Sequence, residues 1–275
     1  MKKDELIGLI RQKESYLCIG LDTDIDKIPK FLHRYSDPIF EFNRLIIEAT
    51  SDICVAYKPN IAFYESMGAK GWETLKKTMD MIPQDVFTIA DAKRGDIGNT
   101  SALYARAFFD KKYSGFDFDA VTVAPYMGSD SVKPFLSYKE KWVIILALTS
   151  NEGSADFQKQ NLSSGKPLYR EVLETCSGWA DNGRIMFVVG ATRADQFEEV
   201  RNVVPDHFLL VPGVGAQGGD LNEISQKGLN NNCELLVNAS RSVIYASNGE
   251  DFADKAREEA IQLQQIMASF LKTIG

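Results

Sequence analysis

The chain has 275 residues, of which 44% are hydrophobic and 25% are charged, and its formal net charge is −7. This composition is that of a globular protein with enough apolar residues for a large core. An acidic chain is poorly suited to a general nucleic-acid-binding surface, so we expect no nucleic-acid partner. No segment approaches the roughly 18–20 apolar residues of a membrane span, so we expect no membrane association either.

The N-terminal segment and the cysteines both predict a cytoplasmic protein. Residues 1–14 interleave charges with short apolar steps, which is typical of an amphipathic helix and not of a signal peptide. The four cysteines are scattered and form no CxxC pair, so buried, reduced thiols are expected. With two histidines and no cysteine cluster, the sequence predicts no metal site.

Apolar segments alternate with helical patterns along the whole chain. The predicted strands cover residues 15–22, 53–60, 86–90, 119–125, 142–149, 184–190, 207–211 and 234–239. The predicted helices cover residues 1–14, 36–50, 68–81, 100–111, 129–138, 167–180, 193–202, 219–227 and 250–272, and residues 150–165 form a long polar loop. Because the strands are apolar throughout, both of their faces should be buried, as in a parallel sheet.

Eight strand–helix units favour a closed (β/α)₈ TIM barrel of the α/β class. We expect one domain over residues 1–275, preceded by an N-terminal helix, because no segment has the composition of a linker. An open, doubly wound sheet is the alternative. It is disfavoured because no GxGxxG motif follows the first strand.

Charged side chains end the first three predicted strands. Asp22 ends the first, Lys58 and Asn60 the second, and Asp91 and Lys93 the third. In a barrel the C-terminal strand ends meet at one mouth, where active sites lie. A D-x-K-x-x-D motif alone could be a simple ion pair or a solvated turn. Converging charges on three consecutive strands favour catalysis, because unpaired charges are costly to bury.

The last two strands end in residues suited to an anion. Strand seven continues into PGVGAQGGD at 212–220, and strand eight is followed by Arg241. Glycines allow the backbone to approach a ligand closely, and successive N–H groups can bind an anion. A flexible turn is the alternative for the glycine-rich segment. The arginine on the neighbouring strand end favours phosphate binding, which barrels often perform at this position.

With these motifs in place, the chain resembles the orotidine 5′-phosphate decarboxylase family, in its longer bacterial-type branch. The matching segments are CIGLD at 18–22, YKPN at 57–60, DAKRGDIGNT at 91–100, TSNEGS at 149–154, PGVGAQGGD at 212–220 and the pair Ser240-Arg241. They follow the expected strands in order from the first to the eighth, so the resemblance covers nearly the whole chain.

The resemblance implies a catalytic network of Lys58, Asp91, Lys93 and Asp96. It also implies a homodimer, in which Asp96, Ile97 and Thr100 are contributed across the interface. The substrate-binding residues that it implies are Asp22, Asn60, Ile97, Thr100, Ser150, Pro212, Gln217, Ser240 and Arg241. Among them, Asp22 would contact the ribose and Ser150 the pyrimidine, although Thr149 stays an alternative to Ser150.

The reaction implied by the resemblance is decarboxylation of orotidine 5′-monophosphate to UMP and CO₂, the last step of de novo UMP biosynthesis. No cofactor and no metal are expected, and Lys93 would donate the proton to C6. One alternative is a Mg²⁺-dependent decarboxylase or aldolase of the same barrel group, which needs a carboxylate where Lys58 stands. Another is a catalytically silent, phosphate-binding barrel.

Overall fold

In the computed structural model, which describes residues 1–191, 195–214 and 219–274, eight parallel strands form a closed barrel. The strands are β1 (Leu17–Leu21), β2 (Ala56–Pro59), β3 (Phe87–Arg94), β4 (Ala120–Val123), β5 (Trp142–Leu148), β6 (Ile185–Val189), β7 (Phe208–Pro212) and β8 (Leu235–Ala239). Each strand pairs with its neighbour in the chain, and β8 pairs with β1. The predicted (β/α)₈ barrel is therefore confirmed.

Helices surround the barrel in the described residues. They are α1 (Lys3–Lys13), α2 (Pro38–Thr50), α3 (Ile61–Glu65), α4 (Ala69–Met81), α5 (Gly98–Phe109), α6 (Lys111–Ser114), α7 (Ser129–Leu136), α8 (Leu168–Ser177), α9 (Asp195–Val203), α10 (Leu221–Gly228), α11 (Arg241–Ile244) and α12 (Phe252–Leu271). Every predicted helix is present. The short α3, α6 and α11 were not predicted, since one turn is too short to show a helical period.

The predicted loop 150–165 is largely irregular but contains one 3₁₀ turn, Glu152–Ala155. A second 3₁₀ turn, Lys30–Arg34, precedes α2. The start of α2 is fixed by Asp37, whose carboxylate accepts a hydrogen bond from the Phe40 N–H at 3.2 Å. The same carboxylate accepts from the Thr74 hydroxyl on α4 at 2.9 Å, so one side chain joins two neighbouring helices.

A layer of large aromatic rings fills the N-terminal end of the barrel. Trp142 of β5 packs edge to face with Phe87 of β3 and Phe208 of β7, with ring centroids 6.3 and 5.8 Å apart. These strands are not neighbours, so the rings meet across the interior, as expected for layers built from alternate strands. The barrel interior is therefore filled by side chains at this end, and we look for a ligand site at the opposite, C-terminal end.

The cysteines agree with the sequence prediction. All four cysteines are buried and unpaired, as predicted. Within the ranges that the structure describes, no helix is both long enough and apolar enough to cross a membrane.

A cluster of titratable side chains lies under the N-terminal ends of β7 and β8. Glu234 is fully buried and forms an ion pair with Lys3. Arg201 donates to the carbonyl oxygens of His207 and Glu234, each at 2.7 Å. Neither ring nitrogen of His207 has a hydrogen-bond partner in the described chain. Burial first, and the nearby Lys3 ammonium second, lower the pKa of His207 from its ordinary value of 6.5.

We predict that this histidine makes stability depend on pH on the acid side of neutrality. A lowered pKa means that the unfolded chain binds the proton more readily than the folded one, so stability is lost as the pH falls below about 6.5. Replacing the ring with an apolar group removes that titration. The slope of the unfolding free energy between pH 7 and pH 5 should therefore be shallower in His207→Leu, measured by urea denaturation.

His33→Gln is the matched control, because His33 is the other histidine of the chain and is exposed. An equal slope in His207→Leu and the unaltered protein would show that His207 does not titrate on unfolding.

Candidate active site

The polar residues predicted at the strand ends lie at one end of the barrel. The register pairs Gly20 of β1 with Lys58 of β2, and an isolated parallel bridge joins Asn60 to Asp91 of β3. Because the strands are parallel and paired in this register, their C-terminal ends present side chains to the same mouth.

Lys58, Asp91 and Lys93 form a continuous charged set at this mouth. The Lys58 Nζ donates to the Asp91 Oδ2 at 2.8 Å, and the Lys93 Nζ donates to the Asp91 Oδ1 at 2.5 Å. Lys58 is 4% exposed and Asp91 9%, whereas half of the Lys93 side chain is exposed. Lys58 is thus the buried anchor, and Lys93 is the member that a bound molecule can reach.

Electrostatics keep Lys58 and Asp91 charged. Burial acts to lower the pKa of Lys58, but the carboxylates of Asp91 and Asp22 outweigh it, and the pKa is raised. Burial acts to raise the pKa of Asp91, but the ammonium groups of Lys58 and Lys93 outweigh it, and the pKa is lowered. The carboxylate therefore contributes stability above its ordinary pKa of 3.8, and the Lys58 ammonium contributes stability below its ordinary pKa of 10.5.

The backbone at Lys93 departs from a regular strand. Its φ of +47° lies in the left-handed region, which non-glycine residues rarely adopt. The pairing of β3 with β4 also shifts register between Ala90 and Arg94. Simple alternation of side chains, the basis of the sequence prediction, therefore does not explain how Lys93 meets Asp91. A local bulge brings them together.

A residue that the sequence reasoning missed completes this set. The Thr122 Oγ1, on β4, donates to the Asp91 Oδ1 at 3.1 Å and accepts from the Lys93 N–H at 2.9 Å. Its only signal in the sequence is a hydroxyl in the middle of the apolar strand DAVTVAP, and that signal fits an ordinary buried threonine equally well.

Asp22 and Asn60 differ in what they have available for a ligand. The Asp22 Oδ1 is buried without a hydrogen-bond partner in the described residues. The Asn60 Oδ1 instead accepts from the Ala62 N–H at 3.3 Å and caps α3. Buried acceptors are normally paired, so Asp22 is a candidate to accept a hydrogen bond from a bound hydroxyl group.

The C-terminal end of β7 pairs with β8, and α11 follows β8 directly. Pro212 pairs with Asn238 of β8, and Gly213, with a φ of +99°, turns the chain away from the strand. Ser240 is the residue before α11, and Arg241 begins that helix with an exposed side chain. The remaining predicted phosphate ligand, Gln217, lies outside the described residues.

The segment after β5 is tied down through Thr149. The Thr149 N–H donates to the Gln158 Oε1 at 2.7 Å, and the Gln158 Nε2 donates to the Thr149 hydroxyl at 2.8 Å. Ser150 is partly buried and packs against Gly190, where an added Cβ would lie 2.8 Å from the Ser150 Cβ. Both candidates for pyrimidine contact therefore lie in the segment that follows β5 directly.

Asp96, Ile97 and Thr100 lie between the end of β3 and the first turn of α5. In the described chain no hydrogen bond or ion pair joins Asp96 to Lys58, Asp91 or Lys93. The Asp96 Oδ1 accepts from the Ile97 N–H at 2.8 Å instead. Ile97 is 55% exposed, and Thr100 is exposed as well. Other exposed apolar side chains follow in α5 and after β4: Leu103, Tyr104, Tyr126 and Met127.

The fold and the site together define the class of protein. A closed (β/α)₈ barrel carries a lysine–carboxylate–lysine set at its C-terminal mouth, with a glycine turn and an arginine after its last two strands. This is the organisation of a barrel enzyme, in which chemistry is performed by residues from several strand ends.

Comparison with known proteins gives the family. The chain matches the model of the Orotidine 5′-phosphate decarboxylase / HUMPS family over residues 15–256. It is 56% identical to the orotidine 5′-phosphate decarboxylase of Bacteroides fragilis strain YCH46, over 100% of both chains. The chain belongs to this family.

Solved structures agree with this assignment. The Leishmania donovani OMP decarboxylase structure superimposes with a TM-score of 0.81 and 34% identity, over 97% of this chain and 99% of that one. The Leishmania donovani UMP synthase structure gives a TM-score of 0.81 and 36% identity over 95% of this chain. This chain spans 56% of that longer protein.

We predict that the Lys58–Asp91 pair is necessary for stability. Asp91→Asn would leave the buried Lys58 ammonium without its counter-charge, and breaking a buried pair typically costs about 3–5 kcal/mol. The double variant Lys58→Met/Asp91→Asn removes the stranded charge as well. It should regain at least half of the loss in urea unfolding. A loss below about 1 kcal/mol in the single variant would contradict a strong buried pair.

Proposed function

We propose that the chain decarboxylates orotidine 5′-monophosphate to UMP and CO₂, the last step of de novo UMP biosynthesis. Two findings support this proposal: the chain belongs to the family, and it is 56% identical over its full length to the orotidine 5′-phosphate decarboxylase of Bacteroides fragilis. The single observation that carries it is the set of Lys58, Asp91 and Lys93 at the barrel mouth, with one carboxylate held between two ammonium groups.

The chemistry of this reaction suits such a set. Loss of CO₂ leaves a carbanion at C6 in the plane of the pyrimidine ring, where no neighbouring π system can delocalise the electron pair. A preorganised positive charge stabilises the developing negative charge without a cofactor. In the proposal the half-exposed Lys93 ammonium lies against C6 and donates the proton that replaces CO₂.

Asp91 and Lys58 have supporting roles in this proposal. The Asp91 carboxylate lies near the departing carboxylate of the substrate and orients the Lys93 ammonium through their 2.5 Å contact. Lys58 keeps Asp91 ionised, because its buried ammonium outweighs the effect of burial on the Asp91 pKa. Lys58 and Asp91 are thereby charged before the substrate binds, and little reorganisation of these two groups is needed during the reaction.

The substrate's ribose and phosphate would bind at the other side of the mouth. The buried, unpartnered Asp22 Oδ1 is suited to accept from a ribose hydroxyl. The exposed Arg241 guanidinium can bind the phosphate with two hydrogen bonds. We propose Ser240, Pro212 and Gln217 as further contacts there. Phosphate binding energy, remote from C6, can then be used to hold the ring against Lys93.

We propose that Ser150 contacts the pyrimidine, on the basis of the family resemblance of the TSNEGS segment at 149–154. Asn60 is proposed to contribute from the end of β2. In the present geometry its side-chain oxygen caps α3, which leaves its amide NH₂ for the substrate.

We further propose that the protein acts as a homodimer, with Asp96, Ile97 and Thr100 completing the partner's site. Two observations support this. In the described residues no hydrogen bond or ion pair joins Asp96 to the charged set of its own chain, and Ile97 is more than half exposed. Exposed apolar side chains beside it, among them Leu103 and Tyr126, form the kind of surface that an interface covers.

A Mg²⁺-dependent sugar-phosphate reaction is less well supported. It would need a carboxylate at the end of β2, where Lys58 stands, and an Asp91 with oxygens open to a metal ion. Both Asp91 oxygens instead accept from ammonium groups. Activity that is unaffected by EDTA would favour the cofactor-independent reaction.

The direct test is loss of orotidine 5′-monophosphate absorbance with the purified protein. We predict turnover for the unaltered chain and a loss of at least about 10⁴-fold in kcat for Lys93→Ala, because the proton donor and the main stabilising charge are both removed. UMP should still bind to this variant, measured by calorimetry. Turnover near that of the unaltered chain would exclude Lys93 as the proton donor.

Subunit mixing tests the shared site. Asp96→Ala and Lys93→Ala chains should each be nearly inactive alone. A symmetric dimer has two equivalent sites, so a mixed dimer has one site with both defects and one site with neither. A mixed dimer should therefore regain about half of the normal activity per dimer. A verified mixed dimer that remains inactive would show that Asp96 acts within its own chain.

A further inference from the structure

The pairing of β3 with β4 contains a bulge at the charged set. Ala90 pairs with Val121 and Arg94 pairs with Val123, so residues 91–93 of β3 lie opposite the single residue Thr122. Regular pairing resumes beyond it, where the Ala124 N–H donates to the Arg94 carbonyl oxygen at 2.8 Å. A bulge takes backbone groups out of the ladder, and a buried N–H must then find another acceptor.

The Thr122 hydroxyl supplies that acceptor. It lies 2.9 Å from the Lys93 nitrogen, and Thr122 is 1% exposed. The same oxygen donates its proton to the Asp91 Oδ1 at 3.1 Å. One hydroxyl therefore bonds the backbone of Lys93 and the side chain of Asp91, which are the two groups whose relative position the proposed reaction requires.

We infer that Thr122 is a positioning residue, which holds the left-handed backbone of Lys93 and thereby places its ammonium on Asp91. A lysine at φ +47° is conformationally unfavourable and persists only when its surroundings fix it. The hydroxyl contact to the Lys93 N–H is such a constraint. This inference rests on the proposed function for its effect on turnover, but not for its effect on backbone conformation.

Thr122→Val and Thr122→Ser separate the hydroxyl from the shape of the side chain. Valine has nearly the same shape but can neither accept from the Lys93 N–H nor donate to Asp91. Serine keeps both hydrogen bonds. We expect kcat to fall on the order of 100-fold in Thr122→Val with KM changed less than about threefold, since small misplacements of a reacting group have effects of this size. Thr122→Ser should keep kcat within about fivefold of the unaltered chain.

Thr88→Val is the matched control. Thr88 is also a buried threonine, but it belongs to the N-terminal end of β3, away from Lys93. Its hydroxyl donates to the Asp119 Oδ2 at 2.8 Å. Its loss should lower the melting temperature without lowering kcat. An equal fall of kcat in Thr88→Val and Thr122→Val would mean that loss of any hydroxyl between these strands impairs the barrel, and would overturn the inference.

A crystal structure of Thr122→Val gives a readout that does not depend on activity. We expect the Lys93 φ to leave the left-handed region and its Nζ to move off the Asp91 Oδ1. If Thr122→Val does not fold, Thr122→Ala removes the same hydroxyl without a steric demand and carries the same expectation. A left-handed Lys93 with its Asp91 contact intact would overturn the inference.

The two readouts distinguish this inference from the proposed function. If the unaltered chain does not decarboxylate orotidine 5′-monophosphate, the proposed function fails, and the conformation of Lys93 in the variant structure still decides the role of Thr122. If the unaltered chain is active and Thr122→Val retains its kcat, the inference alone fails.

Discussion

A buried ammonium group determines how the mouth of this barrel is arranged. Lys58 is 4% exposed, and a charge at that depth is tolerated only with a close counter-charge. Asp91 supplies it through its Oδ2, which leaves its Oδ1 for Lys93 and Thr122. The lysine nearest the solvent is thus held by a carboxylate that a deeper lysine keeps ionised. Both ammonium groups therefore depend on the one carboxylate of Asp91 as their hydrogen-bond acceptor in this set.

Most of the fold could be predicted because the strands are short, apolar and buried on both faces. That pattern permits few architectures besides a parallel barrel, and eight repetitions distinguish it from smaller sheets. The site was predictable to the extent that strand ends must meet at one mouth. The bulge at Lys93 was not, because a left-handed lysine has no local signal such as a glycine. Thr122 lies far from Lys93 in the sequence, and only the pairing of β3 with β4 brings them together.

The close packing where β1 pairs with β8 explains why Gly20 of the CIGLD segment is a glycine. A Cβ on Gly20 would lie 1.7 Å from the Ser240 Oγ, so β1 can pass the start of α11 only without a side chain there. The Tyr245 hydroxyl, just after α11, also bonds the segment that follows β1. It donates to the Asp22 carbonyl oxygen at 3.0 Å and accepts from the Asp24 N–H at 2.7 Å. The segment that carries Asp22 is therefore attached to the segment that follows Arg241.

The DAKRGDIGNT segment divides into two parts with opposite surroundings. Residues 91–93 are held by two contacts: Lys58 donates to the Asp91 carboxylate, and the Lys93 N–H donates to the Thr122 hydroxyl. Ile97, in contrast, is exposed and precedes α5 without a side-chain cap. Arg94 separates the parts: its guanidinium forms an ion pair with Glu65 and lies 5.6 Å from the ring centre of Phe108. An ion pair and a ring contact of Arg94 therefore join the buried half of this short segment to its exposed half. In the proposed homodimer, the exposed half is the part that a second chain would cover, and its position depends on how firmly Arg94 and the buried half hold it.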